Sequence, residues 1–260
     1  MTDFSLGAIL EPQIIAAEEG FLVVYKPPRM HSAPFACSTG ETLLDFCLGK
    51  FPEILSFPGR KAGEGGLLHR LDYETQGLML IARNAKSMEA LLGLHREGKI
   101  IKGYSALVAR SDMVPPGFPI KMPGFPIKTP GFPKETPGFK IKSAFRPYGP
   151  GRKAVRPVLP EKNAGRSQVY STEILRGGPF SEAGLAGVFS LSLRITKGFR
   201  HQIRCHLAWL GLPILNDSLY GGLSFGSGLL ALRAASIAFN DPFSGEERDF
   251  SIPPLSSELI

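Results

Sequence analysis

Cysteine is scarce in this chain: three among 260 residues, Cys37, Cys47 and Cys205. So few, and an odd number, build no disulfide framework, which argues against a stapled secreted scaffold and for a reducing cytoplasm. No uninterrupted apolar run reaches the ~18–20 residues that a membrane helix requires, so no membrane partner is expected. The opening Met1–Pro12 carries Asp3 early and no basic patch ahead of an apolar stretch, and it does not read as a signal peptide. No phosphate loop ends in Gly-Lys-Ser/Thr, and no glycine fingerprint opens a helix, which removes the commonest nucleotide-binding classes. The remainder is ordinary: 43% hydrophobic and 20% charged residues, the composition of a globular chain. The length suits one or two domains. A single domain over residues 1–260 is the expectation.

An acidic excess is also missing. The net charge is +7, which favours a polyanionic partner. One segment supplies it: Met113–Arg166 holds eleven Lys or Arg against two Glu, and the rest of the chain is close to neutral. Within that segment Pro-Gly-Phe recurs at Pro116, Pro123, Pro130 and Pro137, a strict period of seven. Pro and Gly in every unit forbid a coiled coil. The tract 116–143 therefore reads as a low-complexity, flexible loop inserted into the domain, in an extended or turn-rich state. It is a passive linker or an RNA-contacting arm, with Lys for phosphates and Phe for stacking. Removing one unit, Pro116–Met122, is expected to leave folding intact.

The flanks read as folded. Phe21–Tyr25, Leu67–Leu71, Leu78–Ala82, Ile101–Val108, Val188–Ile195, Ala235–Phe239 and Asp249–Ile252 are predicted strands, with another beginning near Ser167. Glu41–Phe51 is a short predicted helix. Asn84 caps a second that ends near Gly98, and Phe199–Leu210 is a third, stopped by Gly211. Strands mixed irregularly with helices predict an α+β fold with a mixed, mostly antiparallel sheet.

Some chemistry can be set aside. Gly222-Leu-Ser224-Phe-Gly226 fits a nucleophile elbow, but it lies in a Gly/Ser-rich loop and no His follows His206, so a Ser224 hydrolase is a minor alternative. His201 and Cys205 are four apart without a second ligand pair, which makes no metal site. Two stretches remain. His69-Arg70-Leu71-Asp72 precedes Thr75-Gln-Gly77 and an apolar run, a good place for a reactive carboxylate; an ordinary surface ion pair is the alternative. Gly198-Phe-Arg200-His201-Gln-Ile-Arg204-Cys-His206 sets two arginines on one helix flank, able to bind phosphate or carboxylate, or simply to meet water.

Together these stretches resemble the RluA family of RNA pseudouridine synthases. H-R-L-D-x-x-T-x-G-L-x-L-x-A is similar to that family's catalytic motif. Lys102-Gly-Tyr104-Ser-Ala106 resembles its K-x-Y-x-A strand. Gly198–His206, continuing through Leu212-Pro213-Ile214 to Asp217-Ser-Leu-Tyr220-Gly221, resembles its later helix and loop. Phe21–Pro27 is similar to its first strand and K-P turn, and Asp241–Glu246 matches its tail in part. The resemblance implies the pseudouridine synthase fold, a bent sheet flanked by helices with a central cleft. It implies an isomerase that converts uridine to pseudouridine in ribosomal or transfer RNA, in the cytoplasm, as a monomer, with no metal and no small-molecule cofactor.

It also implies roles. Asp72 is the catalytic carboxylate, attacking the anomeric carbon or removing a ribose proton. Arg204 pairs with it and Tyr104 lies against the target base. Arg70 helps to hold a flipped-out nucleotide, with His69, Lys102, Arg200 and His201 as further RNA contacts. The chain departs from the pattern at Phe199, where the family has Arg, and at Gln76, Arg233 and Ser236. A catalytically silent RNA-binding protein on the same fold is the competing reading; retention of Asp72, Tyr104 and Arg204 together speaks against it.

Overall fold

Residue alternation along the first strands explains the layering. In the computed structural model, which describes residues 10–34, 40–112, 115, 117–119, 139–159, 168–180 and 187–256, the chain runs through ten strands and three α-helices. In chain order these are β1 (Gln13–Ala17), β2 (Phe21–Lys26), α1 (Leu43–Leu48), β3 (Gln76–Ala82), α2 (Ala85–Glu97), β4 (Ile101–Ala109), β5 (Phe139–Tyr148), β6 (Ala154–Val158), β7 (Tyr170–Pro179), β8 (Val188–Ile195), α3 (Gln202–Trp209), β9 (Leu232–Asn240) and β10 (Glu247–Ser251). Every residue of β2 and β3 is buried. Leu22, Val24, Met79 and Ile81 face a core shared with α1 and α3, whereas Phe21, Val23, Tyr25, Leu78 and Leu80 face a second core closed by Met88 and Leu91 of α2. Both faces of the sheet are thus covered, which is why these strands read as continuous apolar runs.

The sheet order is β1-β2-β3-β9-β4-β8-β7-β5-β6, with β10 also paired to β9. All pairings are antiparallel except β3 with β9. The α+β expectation and its mostly antiparallel sheet are what is found. The parallel contact is brief, Gln76 with Arg233 and Gly77 with Ala234. Gly77 has φ +126°, and a Cβ there would collide with the Ala234 backbone, so only glycine permits this approach. On its other side Ala234 pairs with Tyr104 of β4. One strand therefore separates the start of β3 from Tyr104.

Several boundaries differ from expectation. Leu67–Leu71 is not a strand; a single bridge from Leu67 to Ile81 is all it makes. Helix α3 starts at Gln202, because His201 adopts a left-handed conformation (φ +55°) that breaks the helical path, so Phe199 and Arg200 lie in the turn ahead of it. Helix α2 begins and ends as read, with the Asn84 side chain accepting from Ser87 N–H and Gly98 left-handed at the C-terminus. No helix among the described residues is long and apolar enough to cross a membrane.

The repeat tract is not wholly a loop. Its final unit supplies Phe139–Ser143 to β5, paired with β7, and buries Ile141 and Ser143 completely. Ser143 Oγ lies 2.9 Å from His206 Nε2 on α3, whose Nδ1 meets Thr172 Oγ1 at 2.8 Å. At the other end Phe118 of the first unit is 7% exposed and packs on Tyr220, and Trp209 Nε1 donates to the Pro119 carbonyl at 3.0 Å. Most of the units between lie outside the described residues, as does the whole loop reading of residues 120–138. Phe118 and Pro119 of the first unit thus take part in packing. Periodicity offers a substitute for them, since removing Pro116–Met122 brings Pro123-Gly-Phe-Pro into the same place in sequence. We expect Phe118→Ala to lower stability by about 2–4 kcal/mol. Excision of Pro116–Met122 should cost markedly less, both read from thermal unfolding midpoints.

Candidate active site

Asp72 occupies the first position of a turn before β3, closed by Thr75 N–H donating to its carbonyl at 3.0 Å. The turn is held from two sides. Ser32 Oγ donates to the Leu71 carbonyl (2.9 Å) and accepts from Leu71 N–H (3.1 Å). Lys26, fully buried at the end of β2, donates from Nζ to the carbonyls of Pro27, Met30 and Tyr73 at 2.8, 2.9 and 3.2 Å. Burial lowers the Lys26 pKa to about 7, against the pull of Asp72 and Glu74. The K-P turn and the aspartate turn are therefore stitched together by one ammonium.

Arg204 reaches Asp72 from α3, but not as its first partner. Its Nε and Nη2 donate to the two carboxylate oxygens of Asp217 at 2.8 Å each, a bidentate pair in which Asp217 is wholly buried. Its Nη1 lies 3.8 Å from Asp72 Oδ2, too long for a hydrogen bond. The guanidinium also rests over the Tyr220 ring, 5.4 Å from the centroid. The Asp72 side chain, 26% exposed, faces the cleft. Burial pushes its carboxyl above the ordinary range, and Arg204, Lys26, the His201 backbone N–H and Arg200 only partly counter this. Arg204 favours ionisation of Asp72, but from 3.8 Å and with its two hydrogen bonds committed to Asp217 it does not outweigh burial.

The remaining predicted residues divide into groups. Tyr104 is 9% exposed at the centre of β4, lines the cleft, and has its hydroxyl pKa raised by burial and by the nearby Asp72 charge. His201 Nε2 lies 3.9 Å from Asp72 Oδ2, and its Nδ1 meets the Tyr220 hydroxyl at 3.2 Å. Burial and the flanking Arg204 and Arg200 depress its pKa to about 3, so the ring is neutral and the contact is not an ion pair. His69 and Lys102 are buried in the cleft wall. Arg70 sits at the mouth, exposed, with Nη1 on Glu64 Oε1 at 3.2 Å. Arg200 does not join Arg204 on a helix flank; its Nη2 donates to the carbonyls of Arg152 and Ala154 at the start of β6, at 2.8 and 3.3 Å. The cleft that gathers these groups has a volume of about 670 Å³.

The departures from the family pattern find local partners. Phe199 stacks on Phe145 of β5 at 5.1 Å and packs on Tyr170 of β7, which accounts for an aromatic where an arginine was expected. Gln76 and Arg233 meet across the parallel β3–β9 contact: Gln76 Oε1 accepts from Arg233 Nε (3.3 Å) and Nη2 (2.8 Å), and from the Tyr25 hydroxyl (2.8 Å). The two departures thus meet, while the buried Gln76 Nε2 finds no hydrogen-bond partner among the described residues. Sequence reasoning assigned no role to Asp217, Tyr220 or Lys26, although all three stand in the matched patterns; only their three-dimensional contacts show that they carry the site.

A model of the RNA pseudouridylate synthase family matches residues 20–209. The chain belongs to that family. Among its relatives are the ribosomal large subunit pseudouridine synthase D of Buchnera aphidicola, 27% identical over 215 residues that cover 82% of this chain and 55% of that protein, and its namesake in Vibrio parahaemolyticus, 24% identical over 92% of this chain and 66% of that one. The chain thus spans between about half and two thirds of the length of these relatives. The solved structure of human RNA pseudouridylate synthase domain containing 1 shares the fold, with a TM-score of 0.60 at 20% identity, covering 96% of this chain and 86% of that one. The pseudouridine synthase fold expected from the motifs is therefore the fold present.

The three-way arrangement of Asp72, Arg204 and Asp217 yields a measurable order of effects. Followed by carboxyl carbon NMR, Asp72 should titrate above the usual Asp range, because its folded form favours the proton. Asp217→Asn releases Arg204's charge and should bring that midpoint down. Arg204→Leu should push it further up. Asp217→Leu, which strands a buried guanidinium, should cost about 3–5 kcal/mol of stability in denaturant unfolding.

Proposed function

We propose that this chain isomerises uridine to pseudouridine in RNA, with Asp72 as the catalytic carboxylate and large-subunit ribosomal RNA as the substrate class. The observation that carries the reading is the placement of Asp72, facing a cleft between the buried Tyr104 and an arginine fixed by a second carboxylate. The named relatives, which carry ribosomal large subunit in their titles, favour ribosomal over transfer RNA, and a cytoplasmic location goes with that proposed substrate.

The reaction breaks the bond from ribose C1′ to N1 of uracil, turns the base, joins C5 to C1′, releases the C5 proton and leaves N1 carrying a proton. Atoms are conserved and no electrons are exchanged, so acid–base groups suffice. Asp72 acts ionised, either on C1′ or on a ribose proton. Burial raises its basicity towards the working pH, while Arg204 and Lys26 keep the anion accessible. Tyr104 packs against the base, which must leave its stack to reach this depth. His201, neutral and hydrogen-bonded to Tyr220, stands beside the carboxylate without competing for its charge. A silent RNA-binding protein would need neither the aspartate nor its buried support.

The test is tritium release from RNA labelled at uridine C5. Asp72→Asn should reduce release by about a hundredfold or more while RNA binding persists. Arg204→Leu should also lose most turnover. Because Asp72 must be ionised, activity should fall as pH drops through its raised pKa, at a higher pH than an unperturbed aspartate would give. Near-normal release by Asp72→Asn would overturn the assignment.

A further inference from the structure

Two lysines are buried at this cleft, and their surroundings differ. Lys26 Nζ donates to three backbone carbonyls. Lys102 is 3% exposed, yet among the described residues no hydrogen bond or salt bridge engages its Nζ. That atom lies 3.9 Å from where a Cβ on Gly198 would stand, so the glycine leaves room beside it. A buried ammonium without an acceptor is costly unless something else neutralises it.

Its neighbours are basic as well. Arg60, His69 and His95 line the same cleft. Arg60 Nη1 donates to the Leu68 carbonyl at 2.9 Å, which anchors the guanidinium. His69 Nε2 accepts from Leu80 N–H at 3.2 Å, leaving the proton on Nδ1. His95, on the last turn of α2, has a buried Nε2 with no hydrogen-bond partner among the described residues. Lys102 and Arg60 act against protonation of both histidines, Lys197 against that of His95, and Arg60 against that of Lys102; among the described residues no carboxylate offsets them. Asp72 lends its charge instead to Lys26 and Tyr104. Lys102 and Arg60, flanked by the neutral imidazoles of His69 and His95, thus meet in one wall of the cleft.

Distance along β4 relates this wall to Tyr104. Lys102 and Tyr104 are two residues apart and so point to the same face, about 7 Å from each other. A base lying on Tyr104 would bring its own sugar–phosphate linkage to within reach of Lys102. We propose that Arg60, His69, His95 and Lys102 form a phosphate subsite that seats the backbone phosphodiester flanking the reacting nucleotide. The subsite rests on the RNA-isomerase reading for the identity of its ligand. Its chemistry is the recognition of a phosphate anion by an ammonium, a guanidinium fork and imidazole N–H donors.

Histidine ring NMR on the wild-type protein tests this, with uridine, inorganic phosphate, uridine 3′-monophosphate and the trinucleotide UpUpU as probes. A phosphate beside His95 should raise its midpoint from about 4 by roughly one pH unit or more. UpUpU and uridine 3′-monophosphate should do so, and uridine should not. Lys102→Met, close in shape and without the charge, and Arg60→Gln, an exposed position tolerant of change, should each weaken UpUpU binding about tenfold. Asp72→Asn should keep the His95 response. The proposal is overturned if uridine alone produces the rise, if no phosphate probe does, or if both variants bind UpUpU like wild type. A response to inorganic phosphate with none to UpUpU assigns the pocket to free phosphate and likewise overturns the backbone role. Should the His95 response appear as expected while no tritium is released from RNA, the subsite stands and the isomerase reading fails.

Discussion

The bidentate pair between Arg204 and Asp217 is the interaction on which the centre of this protein depends. Asp217 is inaccessible to solvent, and its two oxygens take two of the arginine's donors at ideal length. Burying such a pair has value only when both members are present. Once formed it fixes the guanidinium against Tyr220, whose hydroxyl accepts from Val155 N–H and reaches His201. Helix α3, the loop after it, strand β6 and the left-handed residue beside Asp72 thus share one anchor. The carboxylate in the cleft receives what remains of the arginine's field, and this is why it is held near the aspartate without being strongly acidified.

Much of the fold could be read locally. Asn84 and Gly98 bracket α2 because capping and left-handed termination are properties of a few adjacent residues. Phe21–Lys26 and Val188–Ile195 declare themselves by composition and alternation. What could not be read depends on distant partners. Phe139-Lys-Ile-Lys-Ser143 looks like its sibling repeats; only pairing with β7 and the contact of Ser143 with His206 make it a strand. Leu67–Leu71 has strand composition but no neighbour to form a ladder with. Helix α3 was extended too far backwards because nothing in Phe199-Arg200-His201 announces a left-handed His201.

The candidate site divides in the same way. Asp72, Tyr104 and Arg204 were legible through their motifs, and the structure brings them to one cleft. Arg200 was misplaced because its position was inferred from an ideal helix that had not yet begun. Asp217 escaped assignment because it lies thirteen residues beyond Arg204, past the end of α3, and no periodicity links the two. The match between Gln76 and Arg233 is 157 residues long in sequence and invisible without the sheet.

That last separation has a consequence for the order of assembly. The aspartate turn leads directly into Gln76 and Gly77, whose outer edge is completed only by Arg233 and Ala234. Chains emerge from the ribosome N-terminus first, and domains tend to fold as their parts become available. Strands β1 to β3 and helix α2 can come together early from near neighbours. The Asp72 turn must wait until β9 has been synthesised, with β4 left in the meantime lacking the strand that should lie beside it. Nascent chains stalled before residue 233 would therefore hold a formed scaffold around an unformed Asp72 turn.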